Sequence, residues 1–471
     1  MLSRLEPDFV PAGGGQGRPL ADPFLSRTPI VLKNADGGVG ISVPPGVQLE
    51  VDALPVSGGR YVDPEELERG TVLTVAERMV LFLHLVSWPR PEAAPKLGLV
   101  GESEAIEQLR ADVLRVADLS VPVLIRGESG SGKELVARAI HQRSRRAAGP
   151  CICVSMAAIP PSTAASELFG HAAGAFTGAA REHSGHFARA SGGTLFLDEI
   201  GEMPVDIQAL LLRAVETGEL QRLNSTRMEK VDVRLITATD ANLEESIRAG
   251  RFREPLFHRL AGFQLRVPPL RKRREDIGRL LLHFLEHDLA GAGEAHKLER
   301  GPDAKRPFLH ASDVARLLRC AWPGNVRQLR NVVSQIVISS RGSEIARIDE
   351  TVEALLQAST EQAAAAAVEV HDAPERPWRR AAGEIPDEEL MDALRRNEWK
   401  TSLTARALGI SRTTLYGRME RSPVIRKAGD VPPDELTRVL SECGNDLDVA
   451  AARLEVSKRG LQLRLRHGTS S

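Results

Sequence analysis

The sequence predicts a multidomain chain: an N-terminal β-sandwich, a central α/β domain on an open sheet, and C-terminal helical helix-turn-helix repeats. Three observations predict it. Short β-type runs broken by turn residues fill Pro29 to Leu85; a strand, a glycine-rich loop and an amphipathic helix follow one another between Val121 and Ile140; and a set of positions recurs at a constant offset of 46 after Leu390. At 471 residues, 42% apolar, the chain can bury two to four cores.

Within residues 1–90, Pro11 to Pro19 has a disordered composition, and the runs Ile30-Val31-Leu32, Val39-Gly40-Ile41, Val47 to Val51, Arg60-Tyr61-Val62 and Val80 to Leu85 read as strands of a sandwich. Leu25-Ser26-Arg27 ahead of this pattern and Leu67 to Leu73 near its end resemble a degenerate forkhead-associated domain, the phosphothreonine-binding sandwich. Ser26-Arg27-Thr28-Pro29 stands where that family has Ser-Arg-x-His, and no clear Gly-Arg precedes it. A phosphothreonine protein and a plain protein contact both stay open as its ligand. No receiver-type acidic pocket is visible.

Val121 to Ile125 reads as a buried strand, followed by Gly127, Glu128, Ser129, Gly130, Ser131, Gly132, Lys133 and Glu134, then by Leu135, Val136, Ala139 and Ile140 at helical spacing. Glycines let backbone N–H groups turn inward around phosphates, the helix start adds partial positive charge, and Lys133 reaches the β- and γ-phosphates. These eight residues are the candidate ATP-binding loop. Glu134 occupies the place where most such loops carry Ser or Thr for Mg²⁺, so the metal must be held largely from elsewhere. Gly193 to Leu197 form a strand ending in Asp198-Glu199; Asp198 suits the metal and Glu199 suits polarising an attacking water. Ligands of open α/β sheets bind at these carboxyl ends. A third strand, Val231 to Thr239, ends at Asp240, where a polar group senses the γ-phosphate.

Between the two sites lies Gly170-His171-Ala172-Ala173-Gly174-Ala175-Phe176-Thr177-Gly178-Ala179, small residues around a single Phe-Thr pair, which suit a loop tip with one sticky point. Farther on come Arg253 and Arg259, six residues apart, and Arg327 just inside a helix opened by Trp322-Pro323-Gly324.

Together these motifs make residues 97 to about 345 resemble the AAA+ domain of bacterial enhancer-binding proteins, the ATP-driven activators of sigma-54 RNA polymerase. Gly174 to Ala179 match that family's GAFTGA signature without a mismatch. The resemblance implies an α/β P-loop ATPase over 97–268 with an α-helical lid over 269–345, ATP and Mg²⁺ as cofactors, and a homo-oligomeric ring of six or seven subunits. It implies Phe176 and Thr177 as the sigma-54 contact, Arg253 and Arg259 as catalytic arginines reaching a neighbour's nucleotide, and Arg327 as a lid sensor. Ser155 stands where the family's switch Asn holds the catalytic Glu, Asp240 replaces a sensor Asn, and Ala172-Ala173 replace a common Glu-Lys pair; slower or differently regulated hydrolysis follows.

Residues 356–382 turn from Ala-rich to Pro/Arg-rich and read as a linker, and Ala290 to Pro307 as a loop inside the lid. Beyond them, Leu390, Leu394, Ala405, Leu408, Ser411, Leu415 and Arg418 recur as Leu436, Leu440, Ala451, Leu454, Ser457, Leu461 and Arg464. The first copy, 384–421, places Arg412, Thr413, Thr414, Tyr416 and Arg418 where they can meet a major groove and its phosphates, and it resembles the Fis-like DNA-binding domain that ends most members of the family. The second copy, 430–467, has Glu455 at the turn position of Gly409 and Lys458, Arg459 and Gln462 outward.

A net charge of −1 argues against a globally basic coat, so contact with double-stranded DNA must be local. Cys151, Cys153, Cys320 and Cys443 show no C-x-x-C spacing and suit reduced thiols in the cytoplasm. No apolar run reaches spanning length and no signal pattern opens the chain, so no membrane partner is expected. Two functions stay open: an ATP-hydrolysing transcription activator, and a DNA-binding regulator or scaffold using ATP as an assembly switch without turnover.

Overall fold

The computed structural model describes residues 1–10, 16–35, 37–86, 94–175, 181–298 and 307–357, and parts of 387–461. At the N-terminus, strands β1 (Val31–Ala35), β2 (Gly38–Ser42), β3 (Leu49–Val51), β4 (Leu54–Pro55), β5 (Gly59–Val62), β6 (Thr71–Val75) and β7 (Met79–Leu83) form two antiparallel sheets, ordered β1-β2-β5 and β4-β3-β6-β7. Ile41 and Val62 of the first sheet and Leu49, Val51, Leu73 and Val75 of the second enter one buried cluster. Leu67 to Leu73 spans two elements: helix α1 (Pro64–Arg69) ends at Gly70 and β6 begins after it. The sequence carries the cause, since Asp63 and Glu66 form a reciprocal capping box with Pro64 at the first turn. Gly70 sits at φ 80°, and a Cβ there would lie 2.0 Å from the Phe82 ring.

In the central domain, α2 (Glu104–Ala117) precedes β8 (Val123–Arg126), and α3 (Lys133–Gln142) precedes β9 (Cys151–Ser155). Helices α4 (Ala164–Phe169) and α5 (His186–Arg189) lead to β10 (Thr194–Asp198), and α6 (Val205–Thr217) leads to a small hairpin of β11 (Glu219–Gln221) and β12 (Met228–Lys230). Strand β13 (Arg234–Thr239), helices α7 (Leu243–Arg248) and α8 (Glu254–Leu260), and β14 (Phe263–Arg266) complete it. The sheet is wholly parallel, in the order β14-β8-β13-β10-β9. Alternation splits its side chains between two cores: Val123, Ile125, Phe196 and Ile236 pack with α2 and α3, while Val154, Leu195, Leu197 and Leu235 pack with α4, α6, α7 and α8. The third strand begins at Arg234 rather than Val231. Val231 and Val233 alternate like strand residues but leave the hairpin half-buried, packed against the second core.

The lid holds α9 (Ile277–Gly291), α10 (Ala311–Arg319) and α11 (Asn325–Ser339). Part of the expected loop Ala290 to Pro307 is ordered differently: α9 runs to Gly291 and a 3-10 turn spans Ala295–Leu298. A short helix over 350–357 extends the lid past 345, with Val352 and Leu356 buried and Glu353 paired to Arg316 of α10 at 2.6 Å. Farther on, α12 (Asp387–Arg396) and α13 (Pro433–Glu442) start and end at the same 46-residue displacement. Leu390, Leu394 and Leu415 are buried with Met391, Trp399 and Met419, and Leu436, Leu454 and Leu461 are buried in the second copy.

Candidate functional site

The strand-loop-helix expectation is met by β8, residues 127–132 and α3. Gly130 and Gly132 take φ of 72° and 107°, a region open chiefly to glycine, which bends the loop over the helix start. Lys133 is buried and its Nζ donates to the carbonyls of Gly127 at 2.8 Å and Glu128 at 3.4 Å, so the ammonium is already drawn across the loop mouth. The Gly127 N–H donates to Thr239 O at 3.2 Å, which sets the end of β13, and exposed Asp240 after it, beside the loop's first residue. Glu134 points along the exposed face of α3 and pairs with Arg138 at 2.6 Å. Ser131 is buried, and its Oγ has no hydrogen-bond partner among the described residues, an orphan polar atom inside a phosphate-type loop.

Asp198 ends β10 in register with Ser155 of β9, and its Oδ1 accepts the Glu199 N–H at 3.0 Å. Glu199 then turns into the left-handed region at φ 56°, an uncommon conformation outside glycine and asparagine, which carries its carboxyl off the strand line.

Lid and loop are clipped together by residues that sequence reasoning missed. Arg271 donates two bonds to the Glu128 carboxylate, at 2.6 and 2.5 Å, and Asn325 Nδ2 adds a third at 3.1 Å. The Arg271 guanidinium, helped by Asn325, holds the Glu128 carboxyl below the usual range. Buried Asn325 also donates to Ser129 O at 3.1 Å and accepts from Leu270 N at 2.8 Å. Arg327, the expected sensor, does reach the loop: its N–H donates to Gly130 O at 3.2 Å and its Nη1 to Ser129 Oγ at 3.3 Å. A Cβ on Gly130 would lie 2.4 Å from Gly324 O, so that glycine is what admits the lid. The Pro323-Gly324-Asn325 turn and the Arg271 to Arg274 basic run were the available sequence signals for this contact.

Arg253, at the N-cap of α8, and Arg259, on α8, are exposed, and their guanidiniums bond carbonyls of α6 rather than the P-loop: Arg253 Nε to Val205 O at 3.1 Å, Arg259 Nη2 to Val215 O at 3.3 Å. Gln208, also missed, fixes the start of α8 by accepting the Arg253 N–H at 2.8 Å.

The Gly/Ala loop leaves α4 and returns to α5 through a built stem. His171 and His183 exchange backbone bonds of 3.0 Å in both directions, and their rings stack at 5.7 Å. His171 Nδ1 meets Ser166 Oγ at 2.7 Å, while Ala172 N donates to Leu223 O at 3.1 Å. Glu167 lies 3.7 Å from His183 Nε2 and 3.9 Å from His186 Nε2. Phe176 and Thr177 lie outside the described residues, as do Arg412, Thr413, Thr414, Tyr416 and Arg418.

Among the described residues no three His, Cys, Asp or Glu side chains are placed to hold a metal by themselves, and no helix is long and apolar enough to cross a membrane. A buried lysine on loop carbonyls, carboxylates at the end of β10 two strands away in the sheet, and a lid arginine on the loop define a P-loop ATPase of AAA+ type. Residues 99–266 match the sigma-54 interaction domain, 271–367 the AAA+ ATPase lid domain, and 384–421 the bacterial regulatory protein Fis family. The DNA-binding transcriptional regulator NtrC of Escherichia coli K12 is 38% identical over 83% of each chain. The nitric oxide reductase transcription regulator NorR1 of Cupriavidus necator is 40% identical over 79% of this chain and 75% of its own. Among solved structures, NtrX from Brucella abortus in complex with ATP is 35% identical over 68% of this chain and 69% of that one, at a TM-score of 0.48. The chain belongs to the family of sigma-54-dependent transcriptional regulators, with an ATPase domain and a Fis-type DNA-binding helix-turn-helix.

Proposed function

We propose that this ATPase couples hydrolysis to remodelling of the closed sigma-54 promoter complex, with loop 172–182 as the transmitting part. In this reading Asp198 holds Mg²⁺, Glu199 takes the proton of the attacking water, and Lys133 and the loop N–H groups bind the phosphates. Arg253 and Arg259 serve a neighbour's nucleotide in a ring, which their outward position at α8 supports; the bonds to α6 carbonyls are weak restraints that a bound phosphate would replace. Asp240 and Arg327 face the γ-phosphate from the strand end and the lid. The first helix-turn-helix reads DNA through Arg412, Thr413, Thr414, Tyr416 and Arg418, with the second copy adding phosphate contacts. The N-terminal sheets make a forkhead-associated-type protein contact, a phosphothreonine peptide being the ligand to titrate first.

The observation that carries the reading is the stem: an intact Gly-Ala-Phe-Thr-Gly-Ala run follows a stem in which His171 and His183 pair with each other while Gly170 and Ala172 bond Leu223, not the nucleotide loop. In this reading Thr177 belongs to the transmitting tip, and Thr177→Ala leaves the nucleotide-site residues Lys133, Asp198 and Glu199 in place. ATP turnover and thermal stability should stay within about twofold and a degree or two of the parent, while open-complex formation with sigma-54 polymerase is lost. Parallel loss of all three on one preparation would sink the transmitting role.

A further inference from the structure

Strand β9 is the outer strand of its sheet, and it carries Cys151-Ile152-Cys153. Successive side chains of a strand alternate, so the two thiols share one face. Ile152 and Val154 on the other face pack into the core with α4 and α6, whereas Cys151 and Cys153 stand opposite Thr194 and Phe196 of β10, on the side covered by α3. Cys151 is half-buried, Cys153 is exposed, and the Cys153 thiol is near enough to weigh on the ionisation of Cys151. Burial and then the Cys153 neighbour push the Cys151 thiol up to about 11, so it stays protonated, with Arg138 of α3 close enough to act against that shift.

We propose that Cys151 and Cys153 form a dithiol site for trivalent arsenicals. Two thiols held side by side on one face of an edge strand give the second sulfur a high effective concentration once the first has bound, which isolated thiols lack. Direct joining of the sulfurs is disfavoured: residues i and i+2 of a strand are about 6.6 Å apart at Cα, near the upper end for a disulfide, and their side chains run parallel. A single bridging atom relaxes that demand, since bonds of about 2.3 Å, as for a thiolate on a thiophilic ion, span sulfurs some 3.7 Å apart. Zinc would need further protein ligands, and no third His, Cys, Asp or Glu joins the pair among the described residues. Arsenic(III) bearing its own organic substituent needs two sulfurs only. With an arylarsine oxide the two S–H bonds and the arsenic–oxygen double bond break, two As–S bonds form, and the protons leave with the oxygen as water; arsenic stays trivalent and nothing is oxidised.

The site adjoins the chemistry without belonging to it. Ser155, two residues beyond Cys153 on the same face, is in register with Asp198. The test is intact-mass analysis and titration of the full chain with phenylarsine oxide. One adduct per chain is expected, reversed by 2,3-dimercaptopropanol and resistant to an equal concentration of a monothiol. Cys153→Ala and Cys151→Ser should each weaken it at least tenfold, while Cys320→Ser and Cys443→Ser leave it in place. Cys153 is exposed, so its variant reads binding even if the Cys151 change lowers stability. An adduct that survives Cys153→Ala, or that a monothiol removes as easily, would overturn the assignment.

Discussion

The nucleotide edge of the sheet and the stem of the Gly/Ala loop are held by different kinds of contact. At the nucleotide edge, side chains from far along the chain converge: Arg271, Asn325 and Arg327 all bond the P-loop from the lid, and Lys133 closes on its own loop carbonyls. At the stem, reciprocal backbone bonds between His171 and His183 do the work, flanked by a ring stack and a shared carboxylate. The first arrangement senses what fills the site, because each lid contact lands on a loop that phosphates would reshape. The second is a narrow stem that, on the proposed function, would pass movement to the loop it carries. The proposed function therefore predicts that hydrolysis and output are separable by mutation, and that separation can be attacked from either side.

The largest effect belongs to Glu199→Gln. The amide keeps the shape of the side chain at its left-handed turn but cannot take a proton from water, so ATP binding should persist while turnover falls at least about a hundredfold. A filter-binding and phosphate-release pair of assays checks it; parent-rate hydrolysis would move the base elsewhere and dissolve the contrast between sensing edge and passive stem.

How legible each region was in the sequence follows from the range of its contacts. Gly127 to Lys133 and Asp198-Glu199 are local patterns whose spacing alone gives their place, and the structure puts both at strand ends as read. Alternation also separated the strands well but placed the start of β13 at Val231, because Val231 and Val233 are apolar for a different reason: they line the exit of a hairpin. Helix α1 was hidden in a β-rich stretch, although its Asp63–Glu66 capping box was readable. The Glu128–Arg271 clip joins residues 143 apart, and nothing short-range in either neighbourhood specifies that pairing. The histidine stem was missed for the same reason, since His171 and His183 gain their meaning only when the loop between them closes.

The next effect tests the stem. Gly170 takes φ 81° and ψ 171°, and an added Cβ would come within 2.5 Å of His183 O and 2.7 Å of Gly185 N. Only glycine holds that conformation at low cost. Gly170→Ala should lower stability by about 2–4 kcal/mol and, at temperatures where the protein stays folded, abolish open-complex formation while ATP turnover per folded subunit changes less than about threefold. Calorimetry with both assays distinguishes the outcomes; turnover falling in step with output would mean the stem and the nucleotide edge are one unit.

A smaller effect is the response to acid. Burial, then Arg189, holds the His186 imidazole below its ordinary value of 6.5, and burial, then Arg234, does the same for His141, which meets Thr194 at 3.0 Å. The fold prefers both rings neutral, whereas the unfolded chain takes up protons near 6.5. Stability is therefore full above that value and declines as pH falls below it, each histidine adding a slope of up to about 1.36 kcal/mol per pH unit until its folded value is passed. His186→Asn should flatten part of the decline measured by denaturant unfolding from pH 7.5 to 5; an unchanged profile would remove His186 from the stem's acid sensitivity.

The smallest effect is expected where the contacts look strongest on paper, at the Glu128–Arg271 pair. Its two bonds of 2.5 and 2.6 Å are well formed, yet the side chains are 42% and 50% exposed, so water competes for both charges. A double-mutant cycle of Glu128→Ala and Arg271→Ala should give a coupling of about 0.2–1 kcal/mol that shrinks in high salt. Glu128→Ala should cost slightly more than Arg271→Ala, because Asn325 also loses an acceptor, though it keeps Ser129 O. The Glu128 carboxyl is held below 4.5 in the fold, so the clip contributes above that value and is lost as pH falls through the folded one. A weak, exposed clip is what a lid that opens and closes with nucleotide requires. A coupling above about 2 kcal/mol that ignores salt would instead make it a permanent lock, and the proposed sensing role of the lid would then rest on Arg327 and the Asn325 bond to Ser129 O.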